Sequence, residues 1–223
     1  MKLGDSAFRE KILIIMPTYH SRMEWLERSV NSVISQTYDN IECIVVKDGC
    51  RHAGDFLKEC DSCRETSLFF RSIPDKRFSF FKLPTNLGAA GWGPRNFALM
   101  NSHHDLICYL DDDNWYEPDH IERLYETIME RESDMAYTGT RLWSSDMRVI
   151  SERIHPHEPR QGYVDTSEIM HRRKLIDSHG GWRKVPKGND WDMVSRWNGV
   201  RWSHTNAVTL NFYMREGCGI HRL

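Results

Sequence analysis

The sequence predicts an α/β protein with a mostly parallel central sheet flanked by helices. The main observation is that β-branched or apolar runs alternate with segments of helical periodicity up to about residue 130. In addition, the apolar run at 106–110 is uninterrupted, which suits a strand buried on both faces of a parallel sheet. Polar or glycine-rich residues follow these runs, at the position where ligands of open α/β sheets bind.

The predicted elements follow this alternation. Strands are predicted at 11–16, 41–47, 78–83 and 106–110, and helices at 23–36, 94–101 and from 119 onwards, with a weaker helical pattern around Phe56, Leu57 and Cys60. The less regular second half gives strands at 135–142, 165–171 and 208–214, short helices at 172–178 and 190–197, and a possible hairpin within 141–163. Parallel strands joined by helices imply right-handed crossovers in the first half.

Size and composition describe one globular domain over residues 1–223. A chain of this length can bury a core without disulfides or a structural metal. The net charge of −2 argues against a general nucleic-acid binder, which would need a basic face. No apolar stretch is long enough to span a bilayer, and the charged segment 1–10 does not have the pattern of a secretory signal. We therefore expect a cytoplasmic protein without a transmembrane segment.

The six cysteines show no disulfide-framework spacing, so reduced thiols are expected. They are Cys43, Cys50, Cys60, Cys63, Cys108 and Cys218. Cys60 and Cys63 form a CxxC pair, but neither a second pair nor a histidine at the usual spacing accompanies it. The pair by itself does not predict a zinc site or a redox centre.

Three consecutive acids, Asp111, Asp112 and Asp113, end the buried run at 106–110. Adjacent carboxylates repel one another unless a cation or several hydrogen-bond donors offset their charge. Carboxylate oxygens without nearby Cys or His favour a hard ion such as Mg²⁺ or Mn²⁺, which often shares its open positions with substrate phosphates. The alternative is a helix N-cap followed by a solvated acidic turn. This stretch alone leaves both interpretations open.

Five short motifs follow one another in the order found in glycosyltransferase family 2. They are Met16–Tyr19, Val46–Gly49, Asn86–Gly88 with Arg95–Asn96, Leu110–Asp113 and Gly188–Trp191. The chain resembles these GT-A-fold enzymes from about Lys11 to Met214. The resemblance implies a metal-assisted, inverting transfer from a nucleotide-diphosphate sugar, preferably UDP-linked, to a glycan or another hydroxyl-bearing acceptor. It also implies a nucleotide-sugar-binding half at about 11–115 and an acceptor-binding half at about 116–223.

The resemblance assigns roles to individual positions. The residues implied to bind the nucleotide sugar are Pro17, Thr18, Tyr19, Asp48, Asn86, Gly88, Arg95, Asp111 and Asp112. Asp48 would accept a hydrogen bond from the base, although a turn aspartate is the commoner role for such a residue. Arg95 would pair with a phosphate or, equally well, form a surface salt bridge. Asp113 and Asp111 match the DxD motif and would hold Mn²⁺ or Mg²⁺, with His204 as a minor candidate ligand.

Asp190 matches the catalytic base of the family. The usual pattern at this point is Glu-Asp, whereas this chain has Asn189-Asp190. Asp192 is the competing candidate, but a position two residues further along a helix faces another direction. Trp182 and Trp191 are the best candidates for contacts with an acceptor, because aromatic rings pack on the apolar faces of sugars, although a Trp is more often part of the core.

Two other functions remain as alternatives. A sugar-phosphate nucleotidylyltransferase would have a similar sheet, but it would carry a glycine-rich loop with Arg and Lys after the first strand. The segment 17–20 is not such a loop. A non-catalytic nucleotide-sugar-binding module would keep the pocket without transferring a sugar, and the departure at Asn189 gives this alternative some weight.

Overall fold

The computed structural model describes residues 9–50 and 60–215, which form a single mixed sheet covered by helices on both faces. The strands are β1 (Ile12–Thr18), β2 (Ile41–Lys47), β3 (Phe78–Lys82), β4 (Leu106–Tyr109), β5 (Trp115–Tyr116), β6 (Met135–Trp143), β7 (Val149–Arg153), β8 (Ile169–Arg172) and β9 (Trp202–Tyr213). The α-helices are α1 (Met23–Ile34), α2 (Asp61–Ser72), α3 (Trp92–Met100), α4 (His120–Glu130), α5 (Lys174–His179) and α6 (Asn189–Val194).

The sheet has two halves of different character. Its order is β3-β2-β1-β4-β8-β6-β9-β5, with β7 paired to β6. From β3 to β4 all pairings are parallel, as expected for the alternating first half of the chain. Beyond β4 the pairings of β8 with β4 and β6, and of β5 with β9, are antiparallel, whereas β6 and β9 are parallel. The predicted α/β class with a central sheet is confirmed. The parallel half of the sheet contains β1, β2 and β4, whose ends carry the motifs around Thr18, Asp48 and Asp111.

Strand β1 shows why this half is buried on both faces. Ile12, Ile14 and Met16 belong to one apolar cluster, together with residues of α1 and α4. Leu13 and Ile15 alternate with them and belong to a second cluster on the other face, together with residues of α3, α5 and α6. All five side chains are fully buried, since successive residues of a strand point to opposite faces. This accounts for the continuous apolar run in the sequence.

Most predicted elements are found within three residues of the expected ends. The exceptions are β8, which begins at 169 instead of 165, and β9, which begins at 202 instead of 208. The hairpin within 141–163 is formed by β6 and β7. The helical pattern around Phe56 and Leu57 lies outside the described residues, and α2 begins just after Cys60. Strand β5, at Trp115–Tyr116, was not predicted because two residues are too few to show a period. No helix within 9–50 and 60–215 combines the length and the apolar character that crossing a membrane requires.

Candidate active site

A cleft of about 520 Å³ lies at the carboxyl ends of β1, β2 and β4. Its size is within the range of small-ligand sites, and its position is the one expected for ligands of an open α/β sheet. The residues that line it are Pro17, Thr18, Tyr19, Asp48, Asn86, Gly88, Ala89, Ala90, Gly91, Pro94, Arg95, Asp111, Asp112, Asp113 and Arg215. The structure therefore brings together all nine residues that were predicted to bind a nucleotide sugar, and it adds Arg215.

Asp48 holds the glycine-rich loop between β3 and α3 against the sheet. Its Oδ1 accepts a hydrogen bond from the Leu87 N–H at 2.8 Å. Its Oδ2 accepts from the Gly88 N–H at 2.9 Å and from Asn86 Nδ2 at 3.0 Å. Gly88 has a φ of 63°, a left-handed conformation that glycine adopts readily. Asp48 thus shapes the wall of the cleft, and its carboxylate oxygens still have accepting capacity towards a ligand.

The buried side chain of Arg95 pairs with the partly exposed carboxylate of Asp111. Its Nη2 lies 2.5 Å from Asp111 Oδ1, and its Nη1 donates to the Ala90 carbonyl oxygen at 2.6 Å. The guanidinium lies 4.6 Å from the ring centroid of Trp182, and only 3% of Arg95 is exposed. In this arrangement the first acid of the acidic run is paired with a cation, and the arginine faces the cleft from a fixed position.

Arg215 provides a positive charge to the other two acids. Its Nε lies 2.5 Å from Asp113 Oδ2, and its Nη2 lies 3.5 Å from Asp112 Oδ1. The backbone N–H of Tyr19 donates to Asp112 Oδ2 at 3.3 Å. Burial raises the pKa of Asp113 to about 7, although the charge of Arg215 opposes this shift, and burial also raises the pKa of Asp112. Asp112 and Asp113 thus already lie beside one cation, and their carboxylate oxygens are of the kind that binds Mn²⁺ or Mg²⁺.

Asp190 is the second residue of α6, a helix that is attached to the glycine-rich loop. Asn189 Nδ2 donates to the carbonyl oxygen of Ala89, a residue of the cleft wall, at 3.0 Å. Asp190 Oδ1 accepts from the Trp191 N–H at 2.8 Å. Burial and the charge of Asp111 raise the pKa of Asp190, whereas Trp191 and Arg95 oppose this. Asp190 does not line the cleft, but its carboxylate lies close enough to Asp111 and Arg95 for their charges to act on it, and the net rise of its pKa is in the direction that suits a general base.

Asp192, the competing candidate, has a different environment. Its Oδ2 lies 3.4 Å from Arg196 Nε, and its Oδ1 lies 4.0 Å from Arg183 Nη1. The charge of Asp192 is thus compensated by arginines of the same region. Neither aspartate lines the cleft, but the cleft residues Asp111 and Arg95 act on the charge of Asp190, which favours Asp190 among the two.

Two further acids, Asp165 and Glu168, approach the site through a 3-10 turn at Thr166–Glu168 and were not predicted as site residues. Asp165 Oδ1 accepts from the Ser167 N–H at 2.9 Å, and Glu168 Oε2 accepts from the Asp165 N–H at 2.8 Å. Ser167 Oγ accepts from the Asp111 N–H at 3.2 Å. Burial, followed by the charge of Asp111, raises the pKa of Asp165 well above its usual value. The Asp-x-x-Glu spacing of a capping box was the signal in the sequence.

The structure corrects the prediction for Trp182. Trp182 is only 3% exposed and packs edge-to-face on Tyr109 at 5.0 Å, so it supports the core below Arg95 and offers no face to an acceptor. His204 lies on β9 opposite Tyr137 of β6 and does not line the cleft. Its role as a metal ligand stays a prediction.

Trp191 lies at another opening in the second half of the chain. A cavity of about 250 Å³ is lined by Trp191, Trp197, Trp202 and Glu158, among others. This cavity shares no lining residue with the acidic cleft, the larger one that contains Asp111, Asp112 and Asp113. The role of Trp191 at an acceptor stays a prediction.

Comparisons with known proteins agree on one family. The family model described as "Glycosyl transferase family 2" matches residues 13–183, and Asp190 lies beyond this segment. Glycosyltransferase GlyA of Streptococcus pneumoniae is 32% identical over 128 residues, which are 57% of this chain and 16% of that protein. The putative teichuronic acid biosynthesis glycosyltransferase TuaG of Bacillus subtilis is 30% identical over 147 residues, which are 66% of this chain and 53% of that protein. The chain thus spans about half or less of the length of these two relatives.

Solved structures show the same fold. The structure of S. aureus TarS, residues 1–349, matches this chain with a TM-score of 0.70 and 18% sequence identity. The match covers 91% of this chain and 60% of the TarS chain. The mannosyltransferase PcManGT of Pyrobaculum calidifontis, in complex with GDP-Man and Mn²⁺, matches with a TM-score of 0.70 and 15% sequence identity. The match covers 97% of this chain and 60% of the PcManGT chain. The fold is that of GT-A glycosyltransferases. Because the family model matches most of its length, the chain belongs to glycosyl transferase family 2.

Proposed function

We propose that this chain is a metal-assisted, inverting glycosyltransferase that moves a sugar from a nucleotide-diphosphate sugar to an acceptor hydroxyl. One observation carries the proposal. A single cleft is lined by every residue that the family motifs assign to the donor, and the charges of two of these residues, Asp111 and Arg95, act on the carboxylate of Asp190. If the donor binds in this cleft and the acceptor binds beside Asp190, the acceptor hydroxyl would lie next to the sugar that is transferred.

The donor is proposed to be UDP-linked. TarS has been solved with UDP-GlcNAc and with UDP, and PcManGT with GDP-Man, so structures of this fold accommodate nucleotide diphosphates. In this chain Thr18, Tyr19 and Asp48 line the part of the cleft that follows β1 and β2, where they would contact the nucleoside. The glycine-rich loop and Arg95 line the side nearer α3, where they would contact the diphosphate and the sugar.

Asp113, with Asp111 and Asp112 beside it, would hold Mn²⁺ or Mg²⁺ in this site. When bound, such an ion supplies Lewis-acid stabilisation of the negative charge on a diphosphate leaving group. The contribution of the chain is to place three carboxylates at one strand end and to hold them there through Arg95, Arg215 and the Tyr19 N–H. Without such partners, adjacent carboxylates would repel one another.

Asp190 is proposed to take the proton from the attacking hydroxyl. Its raised pKa brings it closer to the working pH, and a positioned carboxylate base typically contributes about 10²–10⁴-fold in rate. A single base with direct attack on the anomeric carbon predicts inversion, because no second carboxylate is required to form a covalent intermediate. Within one domain, residues from about 11 to 115 would bind the donor, and residues from about 116 to 223 would bind the acceptor, a glycan or another hydroxyl compound. Arg215 is the exception, because it lines the donor cleft from the second half of the chain.

The test is a panel of nucleotide sugars, UDP-linked and GDP-linked, incubated with the chain and Mn²⁺ while the release of nucleoside diphosphate is measured. We expect selective release with a UDP-sugar, which increases when a suitable acceptor is added and stops in EDTA. Tight nucleotide binding by calorimetry without any release would indicate the non-catalytic binding module instead. Release of inorganic pyrophosphate from UTP and a sugar phosphate would indicate a nucleotidylyltransferase.

A further inference from the structure

Three cysteine thiols meet at a point beside the nucleotide cleft. Cys50 Sγ lies 2.9 Å from Cys60 Sγ and 2.7 Å from Cys63 Sγ. The side chain of His20 joins them, because the ligand atoms of His20, Cys50 and Cys60 all lie within 4.8 Å of one another. Three thiols and an imidazole are a donor set of the kind that holds a structural zinc ion.

The four residues of this cluster come from three places in the chain. His20 follows the end of β1, and Cys50 follows β2. Cys60 caps the start of α2, and Cys63 lies three residues further on, so the two thiols face the same side of the first helical turn. Because β1 and β2 are neighbouring parallel strands, their ends bring His20 and Cys50 together. The sequence could not reveal this group, since the histidine precedes the cysteines by a distance that matches no zinc-finger spacing.

We propose that Cys50, Cys60 and Cys63, with His20 as the fourth ligand, bind one structural Zn²⁺ ion. Thiolates and imidazole are soft to borderline donors, which favour Zn²⁺ over the hard ions that suit the acidic cleft. Tetrahedral bonds of about 2.3 Å place zinc-bound sulfurs about 3.8 Å apart, so Cys50 Sγ would have to move outwards by roughly 1 Å. A disulfide is less suitable, because it would join only two of the three thiols and leave the third unused.

The surroundings of the cluster offset the charge that zinc binding would create. On binding, each of the three thiols gives up its proton to solvent and the neutral histidine donates a ring nitrogen, which leaves one negative charge on the centre. The Lys47 ammonium is buried nearby and donates to Thr66 Oγ1 at 3.3 Å. The positive charge of Lys47 acts on both Cys60 and Cys63 and favours their thiolate forms. The positive end of α2 also favours thiolates at its first turn.

A zinc ion at this site would make one wall of the donor cleft rigid. Zinc would tie the start of α2 to the segments that follow β1 and β2. Tyr19 precedes His20 and Asp48 lies two residues before Cys50, and both of these residues line the cleft. The proposed zinc is thus a structural element beside the donor site, and its presence does not depend on whether the chain transfers a sugar.

The test measures zinc in the full chain, purified without added metal and dialysed against buffer. Mass spectrometry of metals should give one Zn²⁺ per chain, and X-ray absorption should give three sulfur neighbours at about 2.3 Å and one nitrogen at about 2.0–2.1 Å. The variants Cys60→Ser and Cys63→Ser should each lose most of the zinc. The matched control Cys43→Ala removes a buried thiol from β2 and should keep it, and Asp113→Asn should also keep it, since the acidic cleft is a separate site.

A second measurement does not depend on how the variants fold. Cobalt(II) added to the metal-stripped wild-type chain should give a thiolate-to-cobalt charge-transfer band and the d–d bands of a tetrahedral site, and both should saturate at one equivalent. Wild-type chain without stoichiometric zinc and without these bands would overturn the proposal. So would zinc that survives in Cys60→Ser, or a mass lower by two hydrogens with a peptide that contains a Cys50–Cys60 or Cys50–Cys63 disulfide.

Discussion

Replacement of Asp190 by asparagine tests the chemistry of the site with little change in its shape. The amide of the Asp190→Asn variant would keep an oxygen that can accept the Trp191 N–H bond now made at 2.8 Å, so α6 should remain in place. The side chain does not line the cleft, and its removal takes a negative charge away from the neighbourhood of Asp111. Nucleotide affinity should therefore stay the same or increase slightly in this variant.

The expected loss of rate follows from the role of a general base. Its removal should lower kcat by about 10²–10⁴-fold, which corresponds to about 3–5.5 kcal/mol of transition-state stabilisation. In the wild type, kcat/KM should rise with pH as the Asp190 carboxylate loses its proton. Because burial and Asp111 raise the pKa of Asp190, this rise should lie at a higher pH than for an ordinary aspartate, and it should be absent in the variant.

The assay is steady-state release of nucleoside diphosphate in the presence of acceptor, combined with calorimetric binding of the nucleotide. The matched control is Asp192→Asn, which removes an aspartate from the same helix. Asp192 is paired with Arg196 and Arg183, so its loss should cost at most about 1 kcal/mol of stability and change kcat by less than about threefold. A larger loss of rate for Asp192→Asn than for Asp190→Asn would refute the assignment of the base, as would an equal loss of nucleotide affinity and rate in Asp190→Asn.

Three other expectations concern the metal, the loop and the core. Asp113→Asn should abolish the gain in donor affinity that Mn²⁺ provides, and calorimetry that shows the same gain would place the ion elsewhere. Gly49→Ala should lower the free energy of unfolding by about 1–3 kcal/mol in urea titrations, because a Cβ would lie 2.5 Å from the Thr85 carbonyl carbon and 2.7 Å from the Leu83 oxygen. Burial lowers the pKa of His120 to about 3. As the pH falls, the His120 imidazole is therefore protonated in the unfolded chain before it is protonated in the folded chain. The stability that His120 contributes is present well above pH 6.5 and should be about 2 kcal/mol smaller at pH 5, which the difference between wild type and His120→Gln at pH 8 and pH 5 measures.

The donor side of the site could be predicted because it depends on a rule about strands. Thr18 ends β1, Asp48 follows β2, and Asp111 comes shortly after β4. These strands are adjacent and parallel, so their carboxyl ends share one edge of the sheet, and residues that are far apart in the chain meet there. Recognition of the strands from their apolar runs was therefore enough to place these side chains around one cleft.

The second half of the chain was harder to predict because side-chain direction decides its roles. The residue type of Trp182 suits a sugar, but its ring is buried below Arg95, and only the packing of α3 against the segment after α5 reveals this. His204 has a suitable donor atom, but it lies on the part of β9 that pairs with Tyr137. In neither case does a local pattern report the distance to the acidic run, since that distance depends on the register of β9 and on tertiary packing.

The charge balance of the acidic run shows most clearly what a sequence leaves open. Three adjacent aspartates require compensation, but the compensating charge can come from an ion, from substrate-binding arginines or from a distant part of the chain. Here Arg95 pairs with Asp111, and Arg215 reaches Asp113 across a separation of 102 positions. A divalent ion at Asp113 would have to compete with this arginine or share the carboxylate with it. The dependence of donor binding on Mn²⁺ therefore measures how strongly the ion is preferred over Arg215 at the same oxygen atoms, and not only whether the carboxylates can bind a metal.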